Sequence, residues 1–393
     1  MPEDKTLKKL AIITTHPIQY NAPFFKLLTE RNKIAVKVFY TWGETVLTDK
    51  YDPGFGKIIK WDIPLLAGYD YSFVKNIAAK PGSHHFRGVD NPALNEEVKA
   101  WGADAILVYG WSFKSHLRSM RYFYKKIPVF FRGDSVIEGG AGILRALIKK
   151  TLLTWVYRHT DKAFYAGSRN RQYFLQYGLR EEQLIFAPHA IDNNRFNRER
   201  EGNERQVLNI PADAIVFLFA GKLEPKKNPA LLLETFKTLG DTHAYLIIAG
   251  NGILEDELKK EFGDVPRVIF LPFQNQTKMP VLYKMADVFI LPSQGPGETW
   301  GLAVNEAMAS GRAVLVSDAC GCAPDLVKES VNGYTFKSKD AEDLLAKMKA
   351  LAADKNMLQS MGKYSADIIT DWSYEKDCIA IEETLLEIPL KKK

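Results

Sequence analysis

Short apolar runs recur along the chain, each followed by an amphipathic stretch, and this rhythm predicts parallel β–α units. In the first half the strands fall at LAIITT (10–15), KIAVKVFY (33–40), AILVYG (105–110), VFF (129–131), AFYAG (163–167) and IFAP (185–188). Helices are expected over 22–30, 114–124, 142–158 and 168–176. The stretch 43–100 breaks the rhythm; its YDPGFG, PLLAGYDYSF and KPGSHHFRG read as long loops lining a cleft. A polar, turn-rich segment at 193–211 marks a domain boundary.

The rhythm then restarts with strands at 215–221, 244–250, 268–273, 288–293, 313–317 and 334–336. Helices at 228–238, 253–261, 277–285, 301–310 and 323–328 alternate with them, and two more follow at 341–353 and 373–387. The two halves share one α/β plan. It predicts two Rossmann-like domains facing across a cleft, the first over 1–195 and the second over 196–372.

At 393 residues the chain exceeds what one core usually fills, and 46% hydrophobic with 25% charged residues excludes a disordered or fibrous class. The three cysteines, Cys320, Cys322 and Cys378, fit no disulfide framework, and C-x-C without a nearby His completes no zinc set. The leader MPEDKTLKKLAIITTHP is too weakly apolar for a signal peptide or membrane span, so a cytoplasmic chain is expected. Charge is uneven: residues 1–195 hold 29 Lys/Arg against 18 Asp/Glu, a balance of +11, whereas the remainder holds 24 against 29. The basic half suits an anionic partner such as a lipid phosphate or membrane surface, or is simply a solvated basic surface. No stacking-plus-basic motif points to nucleic acid.

The densest chemistry lies in QGPGETWGLAVNEAMASG (294–311), a Gly/Pro-rich loop running from a strand into a helix. Such a geometry offers backbone N–H groups, here at Gly297, Thr299, Trp300, Gly301 and Leu302, to a phosphate or hydroxyl. Glu298 precedes the helix and Glu306 lies within it among small apolar residues, where a carboxylate needs a partner such as a ribose diol. The spacing alone also suits Glu298 as a helix cap and Glu306 as a solvated residue. Upstream, AGKLEPKKNPALLL (220–233) repeats the strand–loop–helix arrangement. There Gly221 opens the loop, and Lys222 and Lys227 could converge on a diphosphate, with Lys226 facing solvent. Gly250 ends another strand in a turn suited to close ligand approach.

In the first half, THPIQYNAPFF places His16 at a strand end, where it could meet donor or acceptor groups or be a satisfied structural histidine, and FRGDS offers Arg132 and Asp134, of which Asp134 could equally cap or pair with Arg132. Helix 142–158, GILRALIKKTLLTWVYR, could lie on an anionic bilayer or cover a sheet while showing one basic edge. No G-x-G-x-x-G opens either half, no P-loop occurs, and no D-x-D is present to hold a metal on a diphosphate.

ETWGLAVNEAMASG resembles the Glu-x7-Glu segment of the retaining GT-B glycosyltransferases of family GT4, the group 1 family of bacterial surface-polysaccharide and lipopolysaccharide enzymes. GKLEPKK resembles the family's basic pair, with Lys222 in place of the usual Arg. FAPHAIDNNRF, ACGCAPDLV and DWSYEK resemble its domain junction, a loop usually reading G-G-x-P-E, and the entry to a last helix (about 373–390) that crosses back to the N-terminal domain. The match is looser in the first half, where a family His is missing at FRGD.

The resemblance implies that Glu298 contacts the donor hexose and Glu306 the ribose, that Lys222 and Lys227 hold the diphosphate, and that Arg132 or Asp134 serves the acceptor side. It implies transfer of a hexosyl group from a nucleoside diphosphate sugar, a UDP-sugar before GDP-mannose, to a hydroxyl of a glycan or lipid-linked acceptor. Configuration is retained and no metal or other cofactor is required. A sugar-nucleotide epimerase or hydrolase on the same fold would release nucleotide without an acceptor. A non-catalytic sugar- or lipid-binding protein would bind donor without turnover.

Overall fold

The computed structural model describes residues 7–44, 51–52, 57–58, 60–137, 142–198, 204–240, 243–295 and 297–389. The charged leader at 1–6, the middle of the YDPGFG turn, part of the boundary segment (199–203) and Pro296 of the Gly/Pro-rich loop lie outside the described residues.

In chain order the elements are β1 (Lys9–Thr14), α1 (Asn21–Glu30), β2 (Ala35–Tyr40), a short antiparallel pair β3 (Tyr51–Asp52) and β4 (Lys57–Ile58), and β5 (Asp70–Phe73). There follow α2 (Leu94–Trp101), β6 (Ala105–Tyr109), α3 (Lys114–Phe123), β7 (Val129–Arg132), α4 (Ile143–Tyr157), β8 (Lys162–Tyr165), α5 (Ser168–Gln176) and β9 (Leu184–Phe186). The short helices α6 (Asn193–Asn197) and α7 (Glu204–Val207) lead into β10 (Ile215–Ala220), α8 (Pro229–Leu239), β11 (Ala244–Ala249), α9 (Glu255–Phe262), β12 (Val268–Leu271) and α10 (Met279–Met285). The chain continues through β13 (Val288–Leu291), α11 (Leu302–Ala309), β14 (Ala313–Ser317), α12 (Ala323–Leu326) and β15 (Gly333–Phe336), then α13 (Ala341–Ala352), α14 (Lys355–Ile369) and α15 (Tyr374–Glu387).

Two compact units result. One comprises Met1–Lys50, Pro64–Pro188 and Tyr374–Lys393, the other Tyr51–Ile63 and His189–Ser373. The first holds a seven-stranded sheet in the order β5-β2-β1-β6-β7-β8-β9 and the second a six-stranded sheet in the order β12-β11-β10-β13-β14-β15. All pairings in both are parallel. Central strands of such sheets are covered on both faces, which is why IVFLFA and VFIL are continuous apolar runs buried at every position. Each unit has its own core: Ile13, Phe39, Ile106, Phe131 and Phe174 in the first, Phe217, Leu233, Ile248, Ile290 and Leu315 in the second.

Two expectations need correction. The stretch 43–100 is not loop throughout: it supplies the edge strand β5 and the helix α2, besides the β3–β4 pair. After residue 340 there are three helices, not two, because KNMLQSMGKYSADII forms α14. Its Gly362, which weakens the helical signal, is there for contact: a Cβ on it would lie 2.2 Å from the carbonyl oxygen of Gly311.

The C-terminal helix α15 belongs to the first unit. Arg31 on the residue after α1 forms a two-pronged pair with Glu382 at 2.7 and 2.8 Å. Arg132 at the end of β7 does the same with Asp377 at 3.0 and 3.2 Å, and also donates to the carbonyls of Ala187 and Pro188. The Tyr374 hydroxyl donates to Tyr20 O at 2.7 Å.

One histidine of the first unit is fully interior. His116 Nδ1 lies 2.9 Å from Gly110 O and 3.1 Å from Tyr109 O, so Nδ1 carries the proton, and Nε2 meets the Thr41 hydroxyl at 2.9 Å. Burial lowers its pKa to about 4, against an ordinary value of 6.5. The unfolded chain therefore takes up a proton that the folded chain refuses between those values. The stability that neutral His116 confers is complete above pH 6.5 and is lost as pH falls to 4, about 3 kcal/mol in all at 1.4 kcal/mol per unit. His116→Gln is expected to flatten the urea-midpoint profile across that interval; a slope identical to wild type would remove His116 from the account.

Candidate functional site

In the second sheet β10 has β11 on one side and β13 on the other, so the strand order reverses between β10 and β13. Open α/β sheets bind ligands outside the carboxyl ends of strands at such a point, because the connections on its two sides depart in opposite directions. The loops after β10 and β13 carry the two densest motifs of the sequence, and the fold joins them.

The Gln294 backbone N–H donates to Lys226 O at 2.9 Å, and its side-chain amide donates to Pro225 O at 2.6 Å. Lys227 Nζ is ion-paired with Glu298 Oε2, and the Ser293 hydroxyl donates to the same oxygen at 2.9 Å. The side chains of Lys227 and Glu298 are only 17% and 10% exposed, so water screens the pair weakly. Glu298 is therefore not a helix cap: Gly301 holds the N-cap of α11, and no side chain caps it. Lys226 instead pairs with Glu224 at 3.3 Å and is exposed.

The loop after β11 packs on the loop after β10. The Gly221 N–H donates to Ala249 O and the Leu223 N–H to Asn251 O, both at 3.0 Å. A Cβ on Gly250 would lie 1.9 Å from Gly221 O, so only glycine allows this approach. Asn251 fixes the turn, donating to Glu255 at 2.6 Å and accepting from the Phe273 N–H at 2.7 Å. Lys222 stands in this paired loop, partly buried, its carbonyl accepting from the Glu224 N–H at 3.0 Å.

Glu306 is 2% exposed, which excludes the solvated alternative. The hydroxyl of Tyr283, itself fully buried on α10, donates to its Oε2 at 2.8 Å. A carboxylate held this way among apolar neighbours is a strong acceptor for hydroxyl groups.

The remaining loop positions have distinct fates. Trp300 is buried, and its indole N–H donates to Asn305 Oδ1 at 2.8 Å. The Asn305 amide donates to His189 O at 2.9 Å, and the Trp300 ring lies 5.0 Å from Trp372. The indole is thus a clamp that ties the loop to Asn305 and, through it, to His189. The other flank of the loop runs along 320–322: the Gly321 N–H donates to Glu298 O and the Cys322 N–H to Trp300 O, both at 3.0 Å. A Cβ on Gly321 would lie 1.7 Å from Thr299 O. Cys320 and Cys322 are buried beneath this loop, and burial pushes the Cys322 thiol well above its ordinary range. Among the described residues no group of three or more His, Cys, Asp and Glu could hold a metal ion.

His16, Arg132 and Asp134 lie in the first unit. His16 follows β1, with Nδ1 2.9 Å from the Thr15 hydroxyl and its ring edge-on to Trp42 at 5.0 Å. Asp134 is exposed beyond β7. Arg132 is buried, and its guanidinium braces α15 through the pair with Asp377.

Ser293, Tyr283, Asn305 and Gly321 were not singled out by sequence pattern. Ser293 directly follows the strand end of VFILPS, a position that could have flagged it. Tyr283 and Asn305 are single polar groups on buried helix faces and carry no spacing signal.

A doubly Rossmann-like chain with this loop pair at its second switch point has the GT-B fold and is related to the group 1 glycosyltransferases. Residues 200–367 match the family described as Glycosyl transferases group 1. The lipopolysaccharide 1,2-N-acetylglucosaminetransferase of Salmonella typhimurium is 28% identical over 225 residues, 54% of this chain and 58% of that protein. The D-inositol 3-phosphate glycosyltransferase of Geodermatophilus obscurus is 28% identical over 228 residues, 54% of this chain and 50% of that one. The match thus spans between half and three-fifths of these relatives. Among solved structures, sucrose-phosphate synthase from Thermosynechococcus elongatus superposes with a TM-score of 0.74 at 17% identity, over 97% of this chain and 98% of that one. Anabaena HepE, in complex with UDP and glucose, gives 0.71 at 17% identity over 97% and 100%. At such identities these likenesses are likenesses of fold.

Proposed function

We propose that the protein transfers a hexosyl group from a nucleoside diphosphate sugar to a hydroxyl of a glycan or lipid-linked acceptor, with retention at the anomeric carbon. The observation that carries the reading is the Lys227–Glu298 pair at the switch point of the second sheet, beside an uncapped helix N-terminus. A UDP-sugar is the first donor to expect, since HepE is seen with UDP and glucose, and GDP-mannose the next.

In this reading Lys227 exchanges part of its contact with Glu298 for the donor diphosphate. Lys222 and the amides of 297–301 add positive potential where charge develops on the leaving oxygen. Glu298, relieved of Lys227, accepts from hexose hydroxyls, and Glu306 accepts from the ribose diol. Gly221 and Gly250 let backbone approach the donor. The acceptor attacks on the face from which the diphosphate departs, and the departing oxygen takes its proton. His16 and Asp134 are the acceptor-side candidates. No helix among the described residues is long and apolar enough to cross a membrane. A cytoplasmic chain in peripheral contact with an anionic membrane fits a lipid-linked acceptor.

The test is nucleotide release with UDP-, GDP- and ADP-sugars in the presence of candidate acceptors, with product configuration read by NMR. Inverted product would overturn retention. Release independent of acceptor would favour the hydrolase or epimerase, and binding without release a sugar-binding protein. Glu306→Ala is expected to weaken nucleotide binding by about 10- to 100-fold, the worth of hydrogen bonds to a charged acceptor. Unchanged calorimetric affinity would remove the ribose contact.

A further inference from the structure

The helix α4 carries an apolar stripe that the protein does not cover. Ile143, Leu144, Leu147, Ile148 and Leu152 are 84%, 73%, 57%, 62% and 46% exposed, five of the largest exposed apolar side chains in the chain on a single element. At 3.6 residues per turn they fall on one side of the helix, an arc of about 180°. Leu153, Val156 and Tyr157 fall on the opposite side and are buried, so the helix is anchored by its C-terminal turn while its first two turns stand clear. The sequence allowed either a sheet-covering helix or a bilayer helix, and α4 divides the two roles along its length.

Its basic residues are arranged around that stripe. By the same angular spacing, Arg145 and Lys150 lie at its two margins, where long side chains can bury their stems and keep their charges in water. Arg158 is exposed one turn beyond. Lys149 points back to the protein, its ammonium 5.6 and 5.5 Å from the rings of Tyr173 and Tyr177. On the side of α3, Arg121 lies over Trp155 at 5.3 Å, and Lys125 and Lys126 follow that helix. Trp155 is partly exposed, an amphipathic ring of the kind that settles at a lipid–water boundary.

We infer that α4 is an in-plane membrane anchor: its stripe from Ile143 to Leu152 inserts among acyl chains of a bilayer, and Arg145, Lys150 and Arg158 meet anionic headgroups. This deepens the reading of a lipid-linked acceptor given above and rests on it for its purpose. Charge selects the occupant. A second copy of the chain seated on the same face would bring Arg145 and Lys150 against their own counterparts, whereas an anionic surface complements them. The reversible partition of such a helix rises with buried apolar area and with headgroup charge.

The experiment is co-sedimentation of the full chain with vesicles of phosphatidylcholine alone or of phosphatidylcholine with phosphatidylglycerol. Wild type is expected to bind the anionic vesicles and to bind neutral ones at least about tenfold less, at roughly fivefold per basic side chain near the surface. Leu144→Glu/Ile148→Glu changes only exposed positions and is expected to cut partition by about tenfold or more with an unchanged circular dichroism spectrum and melting midpoint. Arg145→Glu/Lys150→Glu leaves the stripe intact and is expected to abolish the preference for anionic vesicles. Wild type that stays in the supernatant overturns the proposal, as does binding that the Leu144/Ile148 variant retains. A concentration-dependent dimer in size exclusion that this variant abolishes would also overturn it, assigning the face to self-association. Nucleotide release from soluble donor, measured without vesicles, keeps a failure here distinct from a failure of the transferase reading.

Discussion

Lys227→Ala is expected to lower kcat/KM for transfer by about two to three orders of magnitude, with the unfolding midpoint close to wild type. Removing one preorganised donor from a developing oxyanion costs about 10²- to 10³-fold in well-studied sites, and Lys227 supplies a full charge in a poorly hydrated one. A second effect adds to the first. Without its ammonium, Glu298 keeps the Ser293 hydroxyl as a donor but presents an uncompensated negative charge to the incoming diphosphate. Lys227→Arg retains the charge but replaces a compact ammonium with a bulkier planar guanidinium, and is expected to fall between alanine and wild type. Nucleotide release followed over a range of donor concentrations measures both. An alanine variant with wild-type turnover would place the diphosphate elsewhere. Glu298→Gln separates the contributions: it frees Lys227 while keeping a hydrogen-bonding side chain, so KM for donor should change less than kcat.

The largest stability effect is expected at Arg132. Arg132→Met leaves Asp377 buried, with its two-pronged partner gone and the carbonyls of Ala187 and Pro188 without their donor. Burial already raises the Asp377 carboxyl to about 6 in spite of Arg132. Breaking a buried pair from one side costs about 3–5 kcal/mol, or roughly 10 °C in the midpoint of a unit of this size. The double variant Arg132→Met/Asp377→Leu removes both charges together and is expected to recover most of the loss. Thermal unfolding of the full chain checks both. If Arg132→Met melts as wild type does but loses transfer, Arg132 belongs to the acceptor site after all.

The strands of both sheets were legible because parallel strands covered on both faces must be apolar throughout; AVLVS and VFIL leave little choice. Segments whose stability is supplied by neighbours were not. DYSF (β5) is a four-residue edge strand with no apolar run, and α2 is a single short helix following a proline-rich stretch. The helix α14 contains a glycine that propensity penalises and that packing against Gly311 requires. At the candidate site the acidic and basic residues were visible, since charges beside Gly-rich loops stand out. Their partners were not: Tyr283 lies 23 positions before Glu306, and Asp377 lies 245 after Arg132. Pattern reasoning sees spacing along one element, and these pairs are made by topology. The burial of Glu306 could not be read for the same reason, because α11 is apolar on most of its surface and its inward face has no sequence mark.

The return of α15 to the first unit has a consequence for biosynthesis. Everything from His189 to Ser373 is made before Tyr374–Glu387, so the second unit, encoded later, has its full set of elements sooner. Until α15 emerges, Arg31 and Arg132 lack Glu382 and Asp377, and the face of α1 that it covers stays open. A released chain truncated just before Tyr374 should therefore yield a protease-resistant second unit joined to a labile first one, with resistance of both appearing only when the last helix is present.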